Sequence, residues 1–137
     1  MKKSFRELKA GDSIYVVNEG TSVGYVCIEE YKLEEPLHEM EKIPGTYCAK
    51  QKNYSYPLII HETLLDCSKC GFIFTDIADA FELYKEKCIK IKENIENKLI
   101  KVKKEQNDLL YALFIINTNL KIDSLDELII SKHYEDN

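Results

Sequence analysis

The chain has 137 residues, of which 45% are hydrophobic and 31% charged, and its net charge is −5 at pH 7. These values argue against a mainly disordered chain, and against a nucleic-acid binder that works through bulk positive charge. No apolar run approaches the ~20 residues that a membrane span needs, so we predict no membrane partner. Five cysteines are an odd number. Since no secretory-type apolar stretch follows the first residues, we expect a reduced, cytoplasmic setting.

The first half of the chain predicts short β-strands separated by turns. A turn at residues 9–12, with Gly11 and Asp12, precedes a segment rich in β-branched and aromatic residues. Residues 18–21 read as a hairpin turn, and residues 31–42 as an acidic loop or irregular edge. The predicted strands are residues 13–17, 23–28, 47–50, 58–61 and 71–74. Five short strands predict a small β-barrel or a rolled antiparallel sheet over residues 1–74.

The apolar period then changes to that of a helix. Thr75 is a candidate cap, and Asp76 and Asp79 suit the positive end of a helix dipole. Apolar residues recur at alternating steps of four and three up to Ile95, which is the heptad pattern. We predict a helix over about residues 76–116, ~60 Å long. Because this length exceeds any face of a 70-residue barrel, part of the helix must meet another surface.

The end of the chain predicts a second, shorter helix. Residues 117–119 are a predicted break, and Ser124 with Glu127 forms a capping-box pattern. The short helix is predicted over about residues 124–133. The predicted fold class is therefore α+β, with a small β domain at residues 1–74 and a helical, coiled-coil region at residues 75–137.

Cys67 and Cys70 form the sharpest local pattern, a Cys-x-x-Cys followed by Gly71. Such a turn can direct two thiolates at one zinc ion, but a structural zinc needs four ligands. Cys27, Cys48 and His61 would complete the set only if the fold brought them close. The alternative is that these cysteines are small buried side chains. Redox chemistry is disfavoured, because the pair precedes a predicted strand and not a helix.

The sequence predicts no enzyme. The three histidines, His38, His61 and His133, have no neighbouring catalytic motif, and the five glycines are too scattered for a phosphate-binding loop. Nucleic-acid binding is disfavoured as well, because the tyrosines near Lys50 and Lys52 belong to an acidic half of the chain. No cofactor is expected apart from the zinc considered above.

The long helix is the main candidate for a binding surface. Its apolar line predicts a protein partner, either a second copy of the chain or a different protein. The predicted interface residues are Cys88, Ile91, Ile95, Leu99, Val102, Leu109, Leu113 and Ile116. Gln106 occupies one position of this line, and two successive steps of four from Ile91 to Leu99 form a stutter that would unwind a supercoil locally.

Residues 8–17 and 23–28 resemble the opening of SH3-like barrels, with a Gly-Asp turn, a strand and a return strand. The layout of barrel, Phe74-Thr75-Asp76 helix start and Lys/Glu-rich helix is similar to that of small bacteriophage proteins. This resemblance implies an accessory protein of the virion or of the infected bacterial cell, which oligomerises or docks through its helix. The alternative is an inhibitor of a host defence or nucleic-acid enzyme that acts through the acidic residues 29–41.

Overall fold

Residues 2–21 and 24–121 are described by the computed structural model of the chain. Within them, seven β-strands and two short 3₁₀-helices precede one long α-helix. The strands are β1 (Ser13–Glu19), β2 (Val26–Lys32), β3 (His38–Glu39), β4 (Thr46–Ala49), β5 (Leu58–His61), β6 (Lys69–Cys70) and β7 (Ile73–Phe74). The 3₁₀-helices are Phe5–Glu7 and Glu62–Leu64, and the α-helix, α1, is Ile77–Leu120.

The strands form two antiparallel sheets. One sheet has the order β2-β1-β7-β6 and the other the order β3-β4-β5, and an isolated bridge between Leu33 and Gln51 links them. Closing a barrel would require the outer strands β5 and β6 to pair, but β6 has two residues and a 3₁₀-helix follows β5 directly. The predicted α+β class is confirmed, and the closed barrel is wrong.

Individual strands agree with the prediction to different degrees. β5 coincides with the predicted strand at residues 58–61, and β1 extends its predicted segment to Glu19. The acidic segment at residues 31–42, predicted as a loop or irregular edge, contains the end of β2 and the short β3. The predicted strand at residues 71–74 begins as a hairpin turn, because Gly71 has a φ of +59°, a conformation that glycine adopts without strain.

One carboxylate holds the turn that leads into β1. Asp12 Oδ2 accepts hydrogen bonds from the Lys9 backbone N–H at 2.9 Å and from Lys3 Nζ at 3.0 Å. Gly11 between them has a φ of +89°. The bond from Lys9 lowers the pKa of Asp12 below its ordinary value of 3.8, and the bond from Lys3 lowers it further.

This lowered pKa makes the fold sensitive to acid. The ionised Asp12 stabilises the fold above the pKa that it has in the unfolded chain, and this contribution is lost as the pH falls through the folded pKa. We expect the urea midpoint to fall less between about pH 5 and pH 2 in Asp12→Asn than in the wild type. Asp108→Asn, on the exposed part of α1, is the control, and its urea midpoint should fall as much as that of the wild type. If the midpoint of Asp12→Asn also falls as much as that of the wild type, Asp12 does not have this role.

The main core lies where both sheets meet the N-terminal segment. Its buried side chains come from the first 3₁₀-helix, from strands β1, β4 and β5 and from the loops between them: Phe5, Leu8, Ile14, Leu33, Ala49, Leu58, Ile60 and Leu65. The backbone N–H of Phe5 donates to Cys67 O at 2.9 Å, and that of Arg6 to Leu65 O at 2.8 Å. The N-terminal segment therefore pairs with the chain that precedes β6.

A second, smaller cluster receives the first turns of α1. Ala80 is fully buried against Val17 and Phe74. Asp76 Oδ1 accepts a hydrogen bond from the Ala78 N–H at 2.7 Å, so Asp76 caps the helix. Thr75, the predicted cap, instead donates its hydroxyl hydrogen to a backbone carbonyl of the N-terminal segment. The prediction of a helix start here is confirmed, with the cap one residue later.

Helix α1 has 44 residues and runs past the predicted break. The break at residues 117–119 is wrong, because Thr118 Oγ1 donates to Phe114 O at 2.9 Å and so is satisfied inside the helix. The short helix predicted at residues 124–133 lies outside the described residues. By its contacts the chain divides into two compact units, which meet within α1, between Lys92 and Glu93. We call them the sheet unit and the helical unit.

Candidate functional site

The predicted interface residues divide into two groups by exposure. Cys88, Ile91 and Ile95 are half-buried. The other five, with 54–72% of their surface exposed, are Leu99, Val102, Leu109, Leu113 and Ile116. Apolar side chains at these helical spacings normally lie against another element. The exposed part of the predicted line therefore begins at Leu99, and it belongs to the helical unit.

Contacts of the earlier part of α1 explain why its line is less exposed. Within the sheet unit, Lys87 Nζ binds Glu19 Oε1 at 2.7 Å and lies 4.6 Å from the ring centroid of Phe72. Ala80 and Leu83 pack in the second cluster, whereas the stack of Phe81 on Tyr84 lies within the helix itself. One side of the first turns of the helix thus packs on the sheet unit.

Residues 109–116 are apolar on every side of the helix. Seven of these eight residues are large and apolar, and all seven are 38–72% exposed. At 100° per residue, Leu109, Leu113 and Ile116 share one side. The opposite side carries Leu110, Tyr111, Phe114 and Ile115. A helix that is apolar all round is normally enclosed by other helices or by lipid. Among the described residues, no helix is long and apolar enough to cross a membrane.

The charges of the helical unit balance before this apolar segment. Residues 93–108 contain four lysines and four carboxylates, interleaved along the helix. Two copies of such a segment carry no net charge and so do not repel each other through a single-sign field. A segment with balanced charge does not have the surface expected of a binding site for a strongly charged partner.

The acidic segment at residues 29–41 does not present all of its carboxylates to solvent. Glu29 accepts hydrogen bonds from Tyr31 and Asn18, and these lower the pKa of Glu29, the Tyr31 bond being the largest cause. The same contact raises the pKa of Tyr31. Glu30 Oε1 accepts from Ser13 Oγ at 2.6 Å, and Glu35 Oε1 from the Lys50 N–H at 3.0 Å. Glu39 also accepts a hydrogen bond, from Tyr47, so at least four of the six glutamates are used within the sheet unit.

A groove of about 620 Å³ lies between this acidic segment and the loop before β5. His38 and Cys48 face each other across the β3–β4 ladder, with 3.7 Å between His38 Nε2 and Cys48 Sγ. Glu35 Oε1 lies 3.7 Å from His38 Nδ1. Tyr54 and Tyr56, with ring centroids 5.7 Å apart, line another part of the groove.

The sequence did not predict this groove. His38 was interpreted as an isolated histidine of the acidic loop, and Cys48 only as a possible zinc ligand. The missing information was the two-residue strand β3, which pairs His38 with Cys48. Two residues are too few to show a strand period, so no sequence pattern carried this signal.

Of the two proposed zinc ligands, Cys70 lies in β6, at the hairpin with β7, and Cys67 lies in the segment just before β6. Cys67 is exposed, and Cys70 is half-buried against the main core. The fold does not gather Cys27, Cys48 and His61 around them. Over residues 2–21 and 24–121, no group of three or more His, Cys, Asp or Glu side chains is arranged to hold a metal ion. All five cysteines are free thiols.

No known protein family, curated protein or solved structure matches this chain. The helical unit and the groove are therefore interpreted from their own residues.

Proposed function

We propose that the protein is a non-enzymatic assembly module, whose chains associate with one another through the part of α1 in the helical unit. One observation carries the proposal: large apolar side chains on α1 are exposed over residues 99–102 and again over residues 109–116, on either side of the polar residues 103–108. The proposed setting is a virion or an infected bacterial cell, and it rests on the resemblance of the sequence to small bacteriophage proteins.

The energy available from this surface favours association. Fully burying a Leu, Ile or Val side chain contributes about 1.5–3 kcal/mol. Because the five residues of the predicted line are 54–72% exposed, burying the remainder would contribute about 4–11 kcal/mol per chain, or twice that for a pair. Association costs about 4–15 kcal/mol in lost freedom of motion. The apolar term is therefore large enough to hold two copies together.

A second copy is the proposed partner because the helical unit is complementary to itself. Its heptad-type line lets an identical helix pack alongside, and its four lysines and four carboxylates balance. A strongly basic or acidic partner would find no field of the opposite sign over residues 93–108. Binding to a different protein is the outcome that the following experiment would reveal.

The mass of the purified full-length chain in solution tests the proposal. By size exclusion with light scattering, we expect a discrete oligomer. Replacing Ile95 and Val102 together by aspartate should lower the mass to that of the monomer, because two charges then lie on the apolar line. Asn94→Asp with Asn97→Asp places two aspartates away from the apolar line of the same helix, adds the same charge and is the control.

The control should keep the oligomeric mass, and both variants should keep the circular dichroism signal of the strands. A wild-type chain that is monomeric at all concentrations would show that the partner is a different protein. An oligomer unchanged by Ile95→Asp with Val102→Asp would place the interface elsewhere.

A further inference from the structure

In the groove of the sheet unit, an imidazole lies between a thiol and a carboxylate. Cys48 Sγ lies within hydrogen-bonding distance of one ring nitrogen of His38, and Glu35 lies beside the other ring nitrogen, each at 3.7 Å. Protein thiols become nucleophilic when a neighbouring base accepts their proton and a third group orients the base. In this arrangement Cys48 is the nucleophile, His38 is the base, and Glu35 is the group that orients the base.

Backbone pairing holds the three side chains in place. His38 and Cys48 are direct partners in the β3–β4 register. Glu35 is fixed from the same side, because its Oε1 accepts the hydrogen bond from the Lys50 N–H, two residues beyond Cys48. The carboxylate is thus a positioning group whose location depends on the strand that carries the thiol.

The same groove contains an acceptor that lacks a donor. Gln51 is 92% buried, since only 8% of its surface is exposed, and its Nε2 donates to Tyr56 O at 3.0 Å. Its Oε1 has no hydrogen-bond partner among the described residues. A buried unpaired carbonyl is costly, and since Gln51 lines the groove, a small shift of its side chain would let an amide N–H of a bound molecule satisfy it. This observation points to a ligand with peptide-like N–H groups.

We propose that Cys48 is a thiolation site, at which the chain reacts with a low-molecular-weight, peptide-like disulfide bound in the groove. His38 Nε2 accepts the thiol proton, and Cys48 Sγ attacks one sulfur of the disulfide. A new S–S bond forms between Cys48 and that sulfur while the original S–S bond breaks. Its electron pair leaves on the second sulfur, which takes the proton from His38. One thiol and one disulfide are consumed, and one of each is formed.

Exchange at sulfur fits this groove better than acyl transfer. Attack on an acyl carbon develops an oxyanion, which needs N–H donors aimed at it. The Lys50 and Lys52 N–H groups beside the thiol are already bonded, to Glu35 Oε1 and Lys32 O. Attack on a disulfide sulfur needs only a thiolate, access and a leaving thiol. The site is a place of stoichiometric modification, separate from the proposed assembly surface.

The test uses the reduced, full-length protein with oxidised glutathione at pH 7. The occupancy of each cysteine is followed over time by mass spectrometry of its peptides. Cys67 is the internal control, because it is the more exposed thiol and lies outside the groove. We expect Cys48 to react about tenfold or more faster than Cys67, which is less than the ~10²–10⁴-fold that a positioned base typically contributes in an enzyme. If Cys48 and Cys67 of the wild-type protein react at equal rates, the proposal is wrong.

Variants then separate chemistry from structure. His38→Ala should lower the Cys48 rate to that of Cys67, and added imidazole should restore part of it, which a merely structural role would not allow. Glu35→Gln keeps an oxygen that accepts the Lys50 N–H but loses the charge, so it should give an intermediate rate. A His38→Ala chain that reacts like the wild type would overturn the role of the base.

A second disulfide tests the ligand class. Bis(2-hydroxyethyl) disulfide has no amide N–H for Gln51 Oε1. The ratio of the Cys48 rate to the Cys67 rate should therefore be higher with oxidised glutathione. Equal ratios for the two reagents would overturn the assignment of a peptide-like ligand.

Discussion

Replacing Ile60 by alanine is expected to destabilise the sheet unit by about 2–5 kcal/mol, whereas replacing its neighbour Ile59 should cost about 0.5 kcal/mol or less. Both side chains belong to β5 and are chemically identical. Ile60 is 0% exposed in the main core, and Ile59 is 53% exposed on the other face of the strand. Removing buried methyl groups loses their transfer free energy and leaves a cavity, while removing exposed ones loses little.

The two substitutions are matched for strand propensity, because each removes a β-branched side chain from a neighbouring position of the same strand. Urea unfolding followed by circular dichroism gives the two free energies. Since association couples to stability, all variants are compared at one protein concentration. Equal losses for Ile59→Ala and Ile60→Ala would mean that the register of β5, and with it the main core, is wrong.

Local sequence pattern predicted the elements whose period is expressed over several residues. The four-three spacing of α1 was visible, because buried positions recur along one face of a helix, and β5 was located as a short apolar run that follows a turn. The start of α1 was located by residues suited to the positive end of a helix dipole, with Asp76 just before the apolar line and Asp79 in the first turn. In each case the physical cause acts between residues that are close in sequence.

The predicted end of α1 is wrong because the local residue preferences favour a turn where the helix in fact continues. Asn117, Thr118 and Asn119 are residues that favour turns and caps when their side chains bond to the backbone outside a helix. Here the Thr118 hydroxyl bonds to the carbonyl of Phe114, one turn earlier, and the helix continues to Leu120. Sequence alone does not say which of these two backbone bonds a threonine makes.

Contacts between distant residues limited the prediction of both the fold and the groove. The sheets fail to close because β6 is short and a 3₁₀-helix follows β5 directly, and the thiol site depends on the pairing of β3 and β4. β3, β6 and β7 have two residues each, so none of them shows a period. The short strands thus decide the features that the sequence did not reveal.

Residues 109–116 have two apolar sides, and this determines how many helices we expect in the assembly. In a two-stranded coil, only one side of each helix is buried, and Leu110 and Phe114 would remain in water beside Tyr111 and Ile115. Exposed patches of this density are rare on proteins that work alone. We therefore expect more than two helices in the assembly, so that both sides are covered.

Paired substitutions distinguish the two arrangements. Leu109→Asp with Leu113→Asp places charges on the side that continues the predicted line, and should reduce the chain to a monomer. Leu110→Asp with Phe114→Asp places them on the opposite side, and should lower the copy number without abolishing association, because the first side is intact. Masses from light scattering at matched concentrations give the result. If the second pair leaves the mass unchanged, the assembly is a two-stranded coil, and the opposite side must contact something other than a further copy of α1.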